Sequence, residues 1–333
     1  MTPNDGQVTD RNLALELVRV SEAAALAASN WVGKGDKNAA DGAAVEAMRR
    51  AFDTVAIDGT VVIGEGEMDE APMLFIGEKV GIFGKSGGGP QMDIAVDPLE
   101  GTSLTAKGGP NAMTTVALAE KGGFLNAPDI YMDKLAIGPG LPDDVVSLDA
   151  TMEQNLRELA RAKKCEIGDL TVCMLDRDRH KELIRACRAA GARIMLIPDG
   201  DVSGVVAVSQ PDAGVDMYVG WGGAPEGVLA AAALRCIGGQ MYGRLIYEED
   251  SQIERAKSMG ISDPNKIFRL EEMARGNVMF AATGVTTGPM LKGVRRFGGG
   301  AYTHSIVMRS KSGTVRYIEG HHNFALKPAA FVA

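Results

Sequence analysis

Apolar residues recur at steps of three and four near the start of the chain. Leu13, Leu17, Val20 and Ala24 form one stripe, which predicts a helix over 11–30 with Asp10 as its cap. Gly33-Lys-Gly-Asp36 breaks it, and a second helix is predicted over 37–53 with Asp36 as cap. Its stripe of Val45, Met48 and Phe52, projected back toward the N-terminus, reaches Asp41 and Lys37. Two readings of that pair stand level: an internal ion pair worth a few tenths of a kcal/mol, or groups directed at a ligand. From residue 60 the period shortens to two, with strands predicted over 60–63 and 92–96. In the second, Ile94 and Val96 share one face and Asp93, Ala95 and Asp97 the other. Pro98 lacks an N–H and restricts Asp97, so that strand is expected to stop there. A mainly antiparallel pattern continues over 73–83 and 113–137, with a turn at Lys121-Gly-Gly123.

The rhythm changes after a polar loop. Thr151 caps a predicted helix with Met152, Leu156 and Leu159 inward. Three strand–loop–helix units follow. Strand 170–175 leads into Arg177-Asp-Arg-His180, strand 193–197 into Asp199-Gly-Asp201, and strand 215–219 into Gly220-Trp-Gly-Gly-Ala-Pro-Glu226 before a long Ala-rich helix. Such units predict a doubly wound, mostly parallel sheet, in which ligands bind beyond the carboxyl ends of the strands. All three loops lie there, and their arginines, aspartates and glutamate suit a phosphorylated sugar. The expected fold class is α/β in two parts: an α+β metal-binding domain over 1–150 and an α/β substrate-binding domain over 151–333. The tail adds strands over 278–282, 305–309 and 314–318, the last two joined as a hairpin at Lys311-Ser-Gly313, and His321-His322 reads as a solvated pair.

The acidic residues supply the candidate chemistry. In the extended stretch Gly64-Glu-Gly-Glu-Met-Asp-Glu70, Glu65, Glu67 and Asp69 share a face. Carboxylates that close repel by more than about 1 kcal/mol unless solvated or bridged by a cation. Asp97 and Glu100, three apart on a strand-ending turn with the Thr102 hydroxyl beyond, suit a hard divalent cation and an adjacent water. A solvated acidic turn is the bland alternative at both places. Four histidines, none in a His-x-x-x-His pair, leave an oxygen-built site, hence magnesium or manganese. A net charge of -8 without a basic block argues against nucleic acid and against an anionic membrane surface. There is no long apolar run and no signal-peptide pattern at the start, and the four cysteines form no close pair, so a cytoplasmic protein with reduced thiols is expected. Pro225 stands where a dinucleotide fingerprint needs its last glycine, and no P-loop occurs.

Asp97-Pro-Leu-Glu-Gly-Thr102, preceded by Gly64-Glu-Gly-Glu67, resembles the signature of the lithium-sensitive sugar and inositol phosphatase superfamily. Further motifs narrow the likeness: Gly35-Asp-Lys-Asn-Ala-Ala-Asp-Gly42, Val62-Ile-Gly-Glu-Gly-Glu67, Asp69-Glu-Ala-Pro-Met73, Asn126-Ala-Pro-Asp129, Pro198-Asp-Gly-Asp201 and Gly222-Gly-Ala-Pro-Glu-Gly227. Together they resemble class II fructose-1,6-bisphosphatase, the bacterial type, from about residue 11 to 322.

That resemblance implies a layered sugar-phosphatase fold and hydrolysis of the 1-phosphate of fructose 1,6-bisphosphate, a step of gluconeogenesis, with two or more magnesium or manganese ions. Asp41 and Glu65 would hold one cation. Asp97, Glu100 and Glu226 would hold another, with the Leu99 carbonyl as a further ligand. Glu100, Gly101, Thr102, Tyr131, Arg177, Asp178, Arg179, Asp199, Gly200, Asp201 and Gly223 would line the substrate site, to which the stripe reading adds Lys37. Thr102 would orient a water and pass its proton to Asp41 or Glu65, since a threonine hydroxyl is too weak a base alone. Family members often carry a proline where this chain has Asp178, between the two arginines of the clamp for the second phosphate. The resemblance also implies a homo-oligomer, dimer or tetramer. The rivals are an inositol-phosphate or nucleotide phosphatase on the same fold, and a metal-dependent sugar-phosphate sensor without turnover.

Overall fold

The computed structural model describes residues 6–66 and 73–327, with side chains described from residue 13 onward. Helix α1 (Gly6–Ser29) begins ahead of Asp10, so Asp10 is not its cap; Leu17, Val20 and Ala24 are buried as the stripe requires. Helix α2 (Lys37–Phe52) is capped by Asp36, whose carboxylate accepts from the Ala39 N–H at 2.9 Å. Strand β1 (Asp58–Ile63) follows, and of the expected strand over 73–83 only β2 (Lys79–Val80) forms among the described residues. Strand β3 (Gln91–Glu100) does not stop at Pro98. Its register against the next strand shifts between Asp97 and Glu100, and that bulge admits a residue with no ladder N–H. Helix α3 (Thr102–Lys107) was not foreseen; the chain enters it through Gly101 at φ 89°, a left-handed conformation that favours glycine. Strand β4 (Met113–Glu120) closes this first run.

The second run comprises β5 (Tyr131–Ile137), α4 (Met152–Lys163), β6 (Thr171–Leu175), α5 (Lys181–Ala190), β7 (Arg193–Ile197), α6 (Asp201–Ala207), β8 (Met217–Gly223), α7 (Ala224–Ile237), β9 (Gln240–Ile246), α8 (Asp250–Ser258), β10 (Ile267–Arg269) and α9 (Leu270–Met273). Thr151 caps α4 through a reciprocal pair with Gln154. The tail supplies β11 (Val278–Gly284), β12 (Arg295–Phe297), β13 (Gly300–Arg309) and β14 (Thr314–Asn323).

Strand pairing divides the chain into two compact units, residues 1–124 with 276–333 and residues 125–275. The boundary is not at 150. Strand β5 pairs with β8 and β9 of the second unit, and the tail strands return to pair beside β4 in the first. The first unit's sheet runs β12-β13-β11-β4-β3-β1-β2, with β14 on the other edge of β13; its β1–β3 pair is parallel. Helix α1 packs on β4, β11 and β13 and against α2, and the core between them includes Leu17, Met48, Phe52, Ile94 and Leu118. Both faces of β3 are buried, so Asp93 lies inside with the apolar residues. The hairpin at Lys311–Gly313 forms as expected. His322 is not solvated: it is buried and bonded to Thr303 Oγ1 at 2.8 Å, while His321 stacks on Tyr302.

The second unit's sheet runs β10-β9-β5-β8-β6-β7. The three predicted strand–loop–helix units are its parallel half, β7 and β8 flanking β6. The other half is antiparallel, so the sheet is mixed rather than mostly parallel. From β6 the chain steps to β7 through α5, then back across β6 to β8 through α6. The strand order therefore reverses at β6, which sets the loops after β6 and β8 side by side at a topological switch point.

Candidate active site

In the first unit, β1 and β3 run parallel with Ile63 opposite Ala95. Two residues further along each, Glu65 and Asp97 leave the same end of the sheet. Gly64 is obligatory there because a Cβ would run into the Leu74 carbonyl, which the Glu65 N–H bonds at 3.0 Å. The Asp97 carboxylate accepts from the Leu99 N–H at 3.1 Å and so closes the turn in which Leu99 and the buried Glu100 sit. Thr102 opens α3, and α2 packs on both β3 and α3. Asp41 is half-buried on α2, with its carboxyl raised above the ordinary range by burial. Lys37 is exposed, and burial alone shifts the Asp41 carboxyl, with no contribution from Lys37. The rest of the acidic loop, Glu67, Asp69 and Glu70, lies outside the described residues. Among the described residues, no three His, Cys, Asp or Glu side chains converge closely enough to hold a metal ion as they stand.

In the second unit, the three parallel strands deliver their loops together. Arg177 donates to the Pro198 carbonyl at 2.5 Å and faces Asp199 at 3.7 Å, so the loops after β6 and β7 are tied. Burial raises the Asp199 carboxyl, and the Arg177 charge pulls it partly back. Arg179 donates twice to the Trp221 carbonyl, at 3.0 and 2.7 Å, tying the loop after β6 to β8. The Asp178 carboxylate is 93% exposed and pairs with Lys181 at 2.9 Å. Gly200, at φ 96°, turns the chain into α6, which begins at the buried Asp201. Tyr131, at the start of β5, lies opposite Gly223 at the end of β8.

Asp129, Tyr131, Gly223, Glu226, Ile246, Glu248 and Gln252 line a cavity of about 330 Å³. Glu226 stands in the first turn of α7, where the helix dipole favours an anion. Its Oε2 is buried with no hydrogen-bond partner among the described residues, and burial raises its carboxyl, opposed by Lys134 and reinforced by Asp201 and Asp129.

Three residues beside this site were not singled out from the sequence. Lys134, in the middle of β5, is fully buried, ion-paired with Asp201 and bonded to the Gly223 carbonyl at 2.9 Å. Tyr218 donates its hydroxyl to Asp201. His180 bonds the Leu175 carbonyl through Nδ1 and accepts the Trp221 N–H at Nε2, both at 2.8 Å, which makes it a neutral brace between β6 and β8. A signal for Lys134 existed: it occupies the Met132, Lys134, Ala136 face of a strand with apolar neighbours on both sides. Cysteine nucleophiles are disfavoured, since burial pushes the Cys173 thiol up to about 12 and the Cys187 thiol up to about 11.

A mixed α/β fold with carboxylates and a hydroxyl at one sheet end, and arginine- and aspartate-bearing loops at a switch point, is the equipment of a sugar-phosphate phosphatase. The chain belongs to the family of bacterial, glpX-encoded fructose-1,6-bisphosphatases, whose model matches residues 11–322. It is 48% identical over 326 residues to fructose-1,6-bisphosphatase 1 class 2 of Escherichia coli (strain K12), covering 94% of this chain and 95% of that one. The fructose-1,6-bisphosphatase class 2 of Shigella flexneri matches with the same identity and coverage.

Proposed function

We propose that this chain removes the 1-phosphate of D-fructose 1,6-bisphosphate, giving fructose 6-phosphate and phosphate, with two or more Mg2+ or Mn2+ ions per site. The observation that carries the reading is the 48% identity, over 94% of the chain, to enzymes named for that substrate. In the cell the reaction would serve gluconeogenesis, in the cytoplasm, with the chain as a homo-oligomer. No described helix is long and apolar enough to cross a membrane.

The donor set fits hard cations. Asp41, Glu65, Asp97, the Leu99 carbonyl, Glu100 and Glu226 offer only oxygen, and the Glu226 Oε2, buried without a hydrogen-bond partner among the described residues, is a donor that suits a hard cation. When bound, such ions supply a more acidic water and neutralise charge on the phosphoryl oxygens. The chain's own groups do the rest. The Thr102 hydroxyl, fixed at the start of α3, orients the attacking water and hands its proton to Asp41 or Glu65. Arg177 and Arg179 grip the phosphate that stays, Tyr131 supports Arg179, and Gly200, Asp201, Gly223 and Lys37 bound the sugar end.

The test is phosphate release from a panel of fructose 1,6-bisphosphate, inositol phosphates and nucleoside monophosphates, with and without Mn2+. Release from the fructose bisphosphate alone, and only with metal, is expected. Preference for another member of the panel, or binding without release, overturns the reading.

A further inference from the structure

Lys134 holds a position that is costly for an ammonium. It is fully buried in β5, and a charge so placed needs a close partner and full hydrogen bonding. It has both. Its Nζ pairs with Asp201 at the head of α6 and donates to the Gly223 carbonyl, 2.9 Å away, at the end of β8. Tyr218 adds its hydroxyl to the same aspartate. Even the glycines are cut to this arrangement: a Cβ at Gly222 would fall on Asp201 Oδ2 and lie 2.7 Å from the lysine Nζ. One cation therefore ties three segments, β5, the turn into α6, and the turn from β8 into α7. Two of its partners, Asp201 and Gly223, are substrate-site positions, and Glu226 follows Gly223 by three residues.

We infer that Lys134 is a positioning residue for the reaction: without touching substrate, it fixes the Asp201 and Gly223 turns in the one arrangement that receives the sugar phosphate. The inference rests on the proposed function. Two roles must be separated. A mere counter-ion for Asp201 matters only while Asp201 is charged. A positioning residue also holds the Gly223 carbonyl, so it matters in either case.

The full-length protein with Mn2+ would be compared as wild type, Lys134→Met, Asp201→Asn and the double variant, by melting temperature, kcat and KM. Fructose 6-phosphate affinity would be measured in parallel by calorimetry without metal. Lys134→Met should lower kcat/KM by about 100-fold, the scale of a small misplacement of reacting groups. That single variant strands a buried aspartate, whereas the double variant removes both members of the Lys134–Asp201 pair, leaving Glu226 without the opposing lysine charge, and keeps the test alive if the single one does not fold. In the Asp201→Asn background, Lys134→Met should still cost about tenfold in kcat/KM and in fructose 6-phosphate affinity, the scale of one charge-assisted hydrogen bond. No further loss in that background, with folded protein, overturns the role of Lys134 alone. Wild type that releases no phosphate from fructose 1,6-bisphosphate with any divalent metal overturns the proposed function and this role with it.

Discussion

Arg179 lies over the ring of Tyr131, its guanidinium carbon 4.8 Å from the ring centroid, while two of its nitrogens donate to the Trp221 carbonyl. The guanidinium is thereby pre-set before any phosphate arrives. With Arg179 in the proposed role of gripping the uncleaved phosphate alike in ground and transition states, Arg179→Ala should raise KM for fructose 1,6-bisphosphate by roughly 10- to 150-fold with kcat nearly constant. Tyr131→Ala removes the platform, a cation–π contact of about 0.5–1 kcal/mol, so loss of that contact alone should raise KM about two- to fivefold. Steady-state kinetics on both variants decide it; an unchanged KM in Arg179→Ala would move the clamp elsewhere.

Asp178 gives a contrasting expectation. Its carboxylate is exposed and paired with Lys181 at 2.9 Å. Asp178→Pro should leave KM within about twofold, in keeping with the small effects of exposed ion pairs. A tenfold increase would show that this carboxylate faces the substrate after all.

The parallel strands and their loops were legible because each repeats one local pattern, a short apolar run followed by a polar turn. The bulge at Pro98 was not, since a proline within a strand reads as a stop until a partner strand shifts register around it. Nor could local pattern reveal that β5 leaves its sequence neighbour β4 for another sheet, which is a matter of long-range pairing. The site shows the same division. Asp97, Glu65 and the three loops stand out by residue type and spacing. Lys134 does not, because its meaning depends on Asp201, distant in sequence and adjacent only in the fold.

Asp133 carries a pH-dependent cost. Burial raises its carboxyl to about 6, against the pull of Arg244, the Trp221 side chain and Lys134. The folded protein therefore takes up a proton that the unfolded chain, with an ordinary aspartate near 4, releases. Stability from this group is fully present at lower pH and is lost as pH rises from about 4 to about 6, by roughly 1–3 kcal/mol after allowance for partial exposure. Asp133→Asn should remove that slope and unfold at higher urea than wild type at pH 7. Equal differences between the two proteins at pH 4.5 and pH 7 would exclude the effect.

Thr102 opens α3 immediately after Gly101, which enters the helix in a left-handed conformation. With its hydroxyl acting in water activation, Thr102→Ala should lower kcat by roughly 100-fold or more while KM changes little. Thr102→Ser keeps the hydroxyl and should retain much of the activity. Near-normal turnover in Thr102→Ala removes it from the mechanism.

Glu226 makes the metal reading testable without any turnover. Its Oε2 is buried with no hydrogen-bond partner among the described residues, and desolvation raises its carboxyl. A buried carboxylate in that state is a liability to the metal-free fold, and the liability becomes an asset once a cation sits beside it. Two opposite effects follow from one substitution. Glu226→Gln should raise the melting temperature of chelator-treated protein at pH 8, because a neutral amide costs less to bury than an ionised carboxylate. The same variant should lose most of the stabilisation that Mn2+ gives wild type, which at about 100 times the dissociation constant amounts to roughly 2.7 kcal/mol. Melting curves of both proteins, with chelator and across a Mn2+ series, read both effects at once. A Mn2+-induced increment that is equal in wild type and Glu226→Gln would take Glu226 out of the metal site. A lower metal-free melting temperature in the variant would mean that the carboxylate is already satisfied in the absence of a cation.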